Sequence, residues 1–542
     1  MSIALVILAA SLVAPSLAPP GPGLTEPPPL VGGRPYVEGT LGDAVSASPF
    51  ASRTPAERML SALVFRGLVR LGPGDTIAAD LAERWEVDPS GASWTFHLRD
   101  GARWQDGEPV TATDVAFTIN VLGDPEYSGP GADSWRGVEA TVLDALTVRL
   151  TLTTPLGGFL VAATQPIAPA HLLAAVPPAE LPDHPFGRHP VGSGPFQLVV
   201  LDDEHAVLEA WIHDPAPAGD LPLPYLPGIE LRFYDSAESL SAAWRSGSLD
   251  AVSGLSPSGV AGLAGSTADS TLVRYPGSTL LSIAPNLRST RPALRDPAVR
   301  RALLAAIDRD SIVAVELAGL ARRADAPIPP TSWAFDSQKS PEIAFDPDGA
   351  VAGLVAAGWT QGDAGWTPRG ASEPITIALI GPDRAANPAA FATAQAVVTA
   401  WRAIGLLVTH ETPAAADLGE RLRSGDFDVA LLGFNVGLDP DLYPLLASSQ
   451  TTSSRTNLLG LQDPALDALL SAARAPGTDD ARMAAYAALQ EQLATGVYLL
   501  PIAFRDEVVL VSGDLSGYST RPIADPGGRF WDVLTWRLAE RR

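Results

Sequence analysis

The spacing of hydrophobic residues is most regular between residues 296 and 317, where it predicts two consecutive helices. The first helix has one apolar stripe, formed by Val299, Leu303, Ala306 and Ile307. Asp296 stands where a carboxylate can cap free backbone amides, and Pro297 follows at a position that needs no N–H donor. Asp310 is expected to cap the second helix, which continues through residues 311–317.

Elsewhere along the chain, helical and alternating patterns succeed one another. Helical spacing covers residues 54–71, 111–121 and 235–245. Alternation of apolar and polar residues, or a short apolar run, predicts strands at residues 94–98, 147–152, 196–201, 206–211, 229–234, 375–380 and 427–432. Helices that alternate with strands over such a length indicate α/β lobes.

Seven segments carry motifs that occur together in one protein family. They are residues 67–86, 94–117, 191–196, 296–310, 345–359, 425–434 and 457–470. Each resembles a motif of the family 5 extracellular solute-binding proteins, which are the peptide-type receptors of ABC importers. Because the seven matches follow one another in the family's order, the chain as a whole is similar to this family.

The resemblance implies an α/β fold of the periplasmic-binding-protein type, a two-lobed clamshell with an additional inserted domain. By analogy, the base lobe comprises residues 33–60, 190–276 and 503–542, the inserted domain residues 61–189, and the second lobe residues 277–502. Residues 275–277 and 501–503 are the expected hinges, since each joins a strand-like run to a different lobe. Ordinary strand-end turns are the alternative for both.

The first 32 residues are expected to be a signal-like segment and a tether. Residues 3–15 form an apolar run of the length of a secretory signal core, which is short for a membrane span. Residues 16–18 fit a small-x-small cleavage site, but no basic residues precede the run, so either the true start lies upstream or the signal is inefficient. Residues 19–29 are rich in proline and indicate an extended tether. We expect an exported protein, periplasmic or at the cell surface, whether or not this segment is cleaved.

Composition narrows the possible chemistry. With 542 residues, the chain is long enough for two or three lobes. Its formal net charge of −24 argues against nucleic acid as a partner, and indicates a solvated acidic surface or, alternatively, a cleft biased toward cationic ligands. The absence of cysteine excludes disulfides, thiolate chemistry and acylation at a lipobox cysteine. The only lysine, Lys339, lies outside any Gly-rich phosphate loop, so an ATPase would be a separate subunit.

No motif for nucleophilic, zinc or dinucleotide chemistry is present in the sequence. His184 and His189 could bind a metal ion, but the intervening Pro and Gly favour a solvated loop. Asp106 and Glu108 could act as paired carboxylates, but the surrounding sequence is typical of a turn between a strand and a helix. We therefore expect no catalytic residue, no metal and no cofactor.

The segment 433–443 is the expected ligand contact, because ligands of α/β folds meet the loops at the carboxyl ends of strands. Its candidate residues are Phe434, Asn435, Val436, Gly437 and Asp439. By the family resemblance, Phe434 packs on the ligand, whereas the aspartate that pairs with a peptide α-ammonium falls on Val436. Asp439 either caps the following turn or, in a shifted register, supplies the missing carboxylate. An N-blocked peptide, a sugar or another amphiphile therefore remains an open alternative.

Three further residues are candidates for lining the cleft. They are Phe50 in the first loop, Asn286 after the expected crossing strand, and Trp135 in the inserted domain. Burial in a core is the alternative for each. Trp333 and Trp359 are assigned to packing.

The expected function is that of a non-enzymatic receptor that closes on a small-molecule or peptide ligand and docks on the permease of an ABC importer. Its partners would be membrane permease subunits with a separate ATPase, so the protein would act near a membrane, as a monomer. A hydrolase that uses acidic residues and a surface sensor without transport are the alternatives.

Overall fold

The structure is a computed structural model that describes residues 33–74, 76–212, 223–266, 269–451 and 456–539. The signal-like segment expected at residues 1–32 lies outside the described residues. Within the described part of the chain, no helix is both long and apolar enough to cross a membrane.

The strands of the described chain alternate with helices, as the sequence predicts. In chain order they are β1 (Tyr36–Leu41), β2 (Val69–Leu71), β3 (Ile77–Ala79), β4 (Ala82–Val87), β5 (Ser93–Leu98), β6 (Val138–Asp144), β7 (Thr147–Leu152), β8 (Phe196–Leu201), β9 (His205–Ala210), β10 (Gly228–Tyr234), β11 (Ala251–Ser253), β12 (Ser270–Pro285), β13 (Ala321–Arg323), β14 (Thr360–Gly362), β15 (Gly365–Thr367), β16 (Thr376–Ile380), β17 (Leu407–Glu411), β18 (Val429–Asn435), β19 (Leu500–Ser512), β20 (Leu515–Ser516) and β21 (Arg537–Leu538).

The α-helices are short to medium in length. In chain order they are α1 (Pro55–Val64), α2 (Ala112–Gly123), α3 (Ala132–Trp135), α4 (Phe159–Ala162), α5 (Ala170–Leu173), α6 (Ala237–Arg245), α7 (Pro257–Leu263), α8 (Pro297–Ala305), α9 (Arg309–Val315), α10 (Pro347–Ala356), α11 (Pro388–Ala403), α12 (Ala415–Ser424), α13 (Tyr443–Leu446), α14 (Pro464–Arg474) and α15 (Asp479–Gly496).

One mixed sheet runs through both lobes and confirms the two-lobed α/β fold. Its strand order is β17-β16-β18-β12-β19-β11-β1-β10-β9-β8, with β13 also paired to β19. The two long central strands, β12 and β19, are antiparallel and pair with base-lobe strands at one end and second-lobe strands at the other. The lobes are thus joined through two adjacent strands, a connection that permits bending between otherwise rigid bodies.

The pairing of β12 with β19 is interrupted between Tyr275 and Thr279. This irregularity includes the hinge expected at residues 275–277. On β19, the residues that face it are Arg505 and Glu507, which lie beyond the expected hinge at residues 501–503. A second register shift, between Leu281 and Ser282, lies opposite Pro501 and Ala503. Each expected hinge therefore adjoins an irregularity in the ladder between β12 and β19.

The inserted region contains a four-stranded antiparallel sheet, β4-β5-β7-β6, against which α2 packs. Its core is continuous with that of the base lobe, since Phe96 and Trp104 belong to the same hydrophobic cluster as Tyr36 and Phe530. The second lobe has its own clusters, one around Trp366 and Trp401 and another around Leu446, Tyr486 and Phe504. Trp359 is buried in the first of these, which agrees with its assignment to packing.

Local capping rules predicted one helix start correctly and missed another. Asp296 caps α8 by accepting a hydrogen bond from Ala298 N at 2.9 Å. The cap of α9 is Asp308, which accepts from Ser311 N at 2.8 Å, so the assignment of that cap to Asp310 was wrong. Asp310 lies in the first turn and forms an ion pair with Arg323 instead.

The helical pattern expected over residues 54–71 also ends early. α1 stops at Val64, because Phe65 takes an extended backbone conformation, and residues 69–71 form the edge hairpin of β2 with β3. The apolar residues beyond Val64 therefore belong to a loop and a strand. The boundary expected after residue 60 falls inside α1, which packs as one unit against the C-terminal segment.

Candidate ligand-binding cleft

A cavity of about 440 Å³ lies where the inserted region, the crossing strand β12, the second lobe and the C-terminal part of the base lobe meet. The inserted region contributes Leu160 and Val161, the crossing strand contributes Gly277 and Ser278, and the base lobe contributes Arg521. A cavity lined by both lobes is the arrangement in which a ligand can hold a clamshell closed.

Helix α15 turns one face toward this cavity. Asp479, Arg482 and Met483 line it, and Tyr486 supports them from below. These residues follow the i, i+3, i+4, i+7 spacing of one helical face. The sequence analysis did not single out this face, although its mixture of charged and apolar residues at helical spacing was visible.

The loop after β18 joins three parts of the molecule through Asn435. Its Oδ1 accepts hydrogen bonds from Ser278 Oγ at 2.8 Å and Gly437 N at 3.0 Å, and its Nδ2 donates to Ala524 O at 2.9 Å. Gly437 lines the cavity with φ of +73°, a left-handed conformation that favours glycine. Asn435 thus connects the second lobe, the crossing strand and the base lobe.

Val436 and Phe434 face the interior of the second lobe. Val436 is 6% exposed and belongs to the cluster that contains Leu442 and Tyr486. Phe434 is half-buried against the same cluster and pairs with Leu280 in the sheet. Neither residue lines the cavity, so the expectation that Phe434 presents its ring to a ligand is corrected.

Asp439 lines the cavity, but its carboxylate is already paired. Arg482 Nη2 donates to both carboxylate oxygens, at 2.8 and 2.9 Å, and the Tyr486 hydroxyl lies 3.4 Å from Oδ1. The side chains of Asp439 and Arg482 are each 12% exposed, so water screens the pair only weakly. Burial lowers the pKa of Arg482, but the bond to Asp439 outweighs it and raises the pKa above the usual value.

Asp441, rather than Asp439, bonds to the backbone at the start of α13, whose N-cap residue is Leu442. Asp441 Oδ1 accepts a hydrogen bond from Tyr443 N at 3.0 Å, at the start of α13, and its other oxygen pairs with Arg474 at 3.0 Å. Burial raises the pKa of Asp441, and the charge of Arg474 opposes that rise.

Trp333 supplies the aromatic surface of the cavity. The guanidinium of Arg482 lies over its ring at 4.5 Å from the centroid, and Tyr486 meets it edge-on at 5.2 Å. Cation–π stacking of this kind fixes both partners. Trp333 was assigned to packing on the sequence, and it does pack against the second-lobe cluster, but its half-buried ring also lines the cavity. Two prolines shortly before Trp333 indicate a loop, and this was the signal in the sequence that the ring could be accessible to a ligand.

Two glycines let the inserted region touch the second lobe. A Cβ on Gly158 would lie 2.5 Å from Asp439 Cγ, and one on Gly157 would lie 2.7 Å from Arg482 Nε. Gly157 N donates to Arg474 O at 2.8 Å. The cleft is therefore closed in this structure, with backbone packed directly against the ion pair.

Phe50 and Asn286 lie outside the cleft. Phe50 is 0% exposed and packs edge-on against Phe117 and Tyr127. Asn286 is also 0% exposed, and its Nδ2 donates to the carbonyls of Gly425 and Phe427. The expectation that these two side chains line the cleft is corrected, since each has a complete set of partners in the core.

Trp135 lines a second cavity of about 540 Å³, between α1, the inserted region and the C-terminal segment 525–531. We call this second cavity the rear cavity, and the first one, of about 440 Å³, the front cavity. Both are lined by Leu71 and Val161, so the two cavities are neighbours. Trp135 itself is 3% exposed, with its ring edge-on to Phe159.

The candidate catalytic and metal-binding residues have local structural partners. Asp106 accepts from Glu108 N at 3.1 Å within the expected turn and pairs with His171 at 2.8 Å. His184 Nδ1 accepts from Phe186 N at the start of a short 3₁₀ helix. Among the described residues, no group of three or more His, Asp or Glu is arranged to hold a metal ion.

The chain is similar to one family over most of its length. The family model described as "Bacterial extracellular solute-binding proteins, family 5 Middle" matches residues 76–455. Heme-binding protein A of Haemophilus influenzae is 27% identical over 486 residues, which are 85% of each chain.

Solved structures share the fold. The oligopeptide-binding protein AppA of Bacillus subtilis, in complex with a nonapeptide, has a TM-score of 0.75 and 22% identity, over 93% of this chain and 99% of that one. The PBP AgaA from A. tumefaciens R10, in complex with agropinic acid, has a TM-score of 0.74 and 22% identity, over 94% of this chain and 99% of that one.

Proposed function

The chain belongs to the family 5 bacterial extracellular solute-binding proteins, and on this premise we propose that it is an exported receptor that captures a solute in the front cavity and delivers it to the permease of an ABC importer. Members of this family are binding proteins, so the hydrolase alternative is not retained. One observation carries the proposal: a closed cavity of about 440 Å³ is lined from both lobes, which are joined through two adjacent strands.

Closure would occur by bending at the register break between Tyr275 and Thr279. The closed form gains the bond from Asn435 to the base lobe and the bond from Gly157 N to Arg474 O. Two such hydrogen bonds contribute about 1 kcal/mol each, a modest bias toward the closed form. A bound solute would add the remaining stabilisation through contacts that exist only when both lobes surround it.

The loop after β18 offers no free carboxylate to a ligand's ammonium group, although Asp479 on α15 also lines the front cavity. Asp439 is neutralised by Arg482, and Val436 offers no charge. An ammonium group at Asp439 would therefore have to displace Arg482 from a weakly screened ion pair, in which one guanidinium nitrogen reaches both carboxylate oxygens. Trp333 and Met483 instead offer apolar and stackable surface. We propose an N-blocked peptide or another amphiphile as the solute class.

Delivery would require partners that this chain does not itself supply. The closed complex would dock on membrane permease subunits, and a separate ATPase would drive release. Export would place the receptor in the periplasm or at the cell surface.

Native mass spectrometry of the purified protein tests the binding role. We expect a co-purified small molecule that is released on denaturation, with its mass unchanged by prolonged incubation with the protein. A protein that carries no small molecule and binds none from a mixture of N-acetylated peptides and glycans would contradict the receptor role. Chemical turnover of any bound solute would contradict it as well.

A further inference from the structure

The rear cavity of about 540 Å³ has a charge balance opposite to that of the chain. The whole chain has 61 acidic and 37 basic residues, yet this cavity is lined by Arg58, Arg66 and Arg70 against Asp80 and Asp525. A site that keeps excess positive charge in a strongly acidic protein is suited to an anion.

Neither carboxylate forms an ion pair with Arg58 or Arg70 in the described part of the chain. Asp80 lies 3.8 Å from Arg66, and Asp525 accepts from Gly527 N, at the start of a 3₁₀ helix. Among the described residues, no carboxylate lies within ion-pair distance of Arg58 or Arg70. Within the described ranges, Arg58 donates to two backbone oxygens, and Arg70 donates to one, at a long distance of 3.5 Å.

Several buried polar atoms in the same cavity also have no hydrogen-bond partner among the described residues. They are Arg58 Nε, Arg70 Nε, Ser61 Oγ and Trp531 Nε1. Ser61 as a whole is 3% exposed. Buried donors without partners are rare in folded proteins, because each has lost its hydrogen bonds to water without gaining others. Four of them around one cavity indicate a ligand that accepts hydrogen bonds.

Local structure brings these donors together. Arg58 and Ser61 are three residues apart on α1, so they lie on neighbouring positions of one helical face. Arg70 comes from β2, and Trp531 comes from the C-terminal segment that packs against α1. The donors therefore converge from three elements on one space, as in a built site.

We propose that the rear cavity is a carboxylate-binding site, in which the guanidinium groups of Arg58 and Arg70 form charge-assisted hydrogen bonds to the anion and Ser61 Oγ and Trp531 Nε1 complete its shell. Guanidinium groups match the planar geometry of a carboxylate. Trp135, Phe65 and Phe530 supply apolar walls around the rest of the anionic molecule.

An anion would also relieve an electrostatic cost at Arg70. Burial lowers the pKa of Arg70; Asp80 raises it, and Arg66 and Arg99 lower it further. Because arginine remains charged in proteins, this cost falls on stability unless an anion offsets it.

The carboxylate can come from two sources. Since Leu71 and Val161 line both cavities, the acidic end of a solute in the front cavity could reach the rear one. A separate small carboxylate could fill it instead. In both cases the arginines bind a carboxylate group. The site is independent of the proposed transport role, because anion binding in the rear cavity needs neither export nor lobe closure.

The test is a succinate titration of the full chain, followed by calorimetry and tryptophan fluorescence, with sodium chloride of equal ionic strength as the reference. We expect saturable binding that Arg70→Gln weakens by about tenfold or more.

Ser61→Ala is the sharper variant. Its hydroxyl has no hydrogen-bond partner among the described residues, so the variant should be at least as stable as the unaltered chain while binding succinate severalfold more weakly. Arg149→Gln, an exposed arginine on β7 of the inserted region, is the matched control and should bind as the unaltered chain does.

A second arm assigns the source. Displacement of succinate by the small-molecule fraction extracted from the purified protein would assign the carboxylate to the front-cavity solute, and simultaneous binding would assign a separate anion. Both results support the site. The site would be overturned if succinate had no effect beyond that of chloride. It would also be overturned if the Ser61→Ala and Arg70→Gln variants bound succinate as tightly as the unaltered chain does. Either result would count against the site whatever the outcome for the receptor role.

Discussion

Substitution of Asp439 by Asn tests whether this carboxylate serves the fold or the ligand. The change removes the charge that Arg482 contacts at 2.8 and 2.9 Å, and leaves the guanidinium beside Trp333 without its counterion. The two side chains are 12% exposed, between a surface pair and a fully buried one. Surface pairs contribute up to about 1 kcal/mol, and breaking a fully buried pair costs about 3–5 kcal/mol. We therefore expect the free energy of unfolding to fall by about 2 kcal/mol.

The assay is urea unfolding in a double-mutant cycle. The variants are Asp439→Asn, Arg482→Gln and both together, with Asp417→Asn, an exposed residue of α12 in the same lobe, as the control. We expect a coupling energy of about 1–2 kcal/mol for the pair and no change for the control.

Ligand specificity provides the result that would refute a structural role for Asp439. Calorimetry with an N-acetylated peptide and its free-amine twin should show no preference for the free amine, because Asp439 is occupied by Arg482. A strong preference for the free amine, abolished by Asp439→Asn, together with no coupling to Arg482, would show that the carboxylate serves the ligand.

The remaining predictions concern closure, the hinge and acid stability. Asn435→Ala removes the bond to Ala524 O, which joins the lobes, and should weaken solute affinity severalfold by calorimetry. It also removes the bonds from Ser278 Oγ and Gly437 N, so the free energy of unfolding should fall by about 1–3 kcal/mol. Asp506→Asn leaves two arginine partners without their carboxylate at the register break, so amide exchange there should accelerate; unchanged exchange would contradict this. Burial raises the pKa of Asp463, but its bonds to Tyr498 and two amides outweigh this and lower it below 3.8. Its stabilisation should thus be complete above pH 3.8 and lost as pH falls below it, and acid unfolding of Asp463→Asn should lack this component.

The sequence predicted features that depend on neighbours in the chain. The strand Thr147–Leu152 and the cap of α8 by Asp296 were predicted because alternation and capping are local rules. Where two aspartates compete, as Asp308 and Asp310 do, the outcome depends on a distant partner. Arg323 engages Asp310, and Asp308 is left to cap the helix.

The side chains that line the cleft could not be read in the same way. Asp439 and Arg482 are 43 residues apart in the chain, so their pairing is not visible in any local pattern. The sequence predicts a packing role for Trp333, but it does not show that α15 places Arg482 over the Trp333 ring. Phe50 matched a cleft-edge motif, but Phe117 and Tyr127 enclose it. Resemblance pointed to the loop after β18, whereas tertiary packing decides which of its residues line the cavity.

Lobe closure on a solute is the central claim, and Gly158 offers a direct way to test it. An alanine Cβ at this position would lie 2.5 Å from Asp439 Cγ in the closed form, while its φ of −85° is acceptable for any residue. Gly158→Ala should therefore fold normally but close poorly. Gly262→Ala, where an added Cβ meets nothing within 4 Å, is the matched control.

The decisive measurement is small-angle scattering of the full chain, stripped of its co-purified small molecules and then recombined with that extract. The account predicts a smaller radius of gyration on recombination for the unaltered chain and for Gly262→Ala, and a reduced change for Gly158→Ala. An unchanged radius of gyration in the unaltered chain at saturating extract would contradict the account.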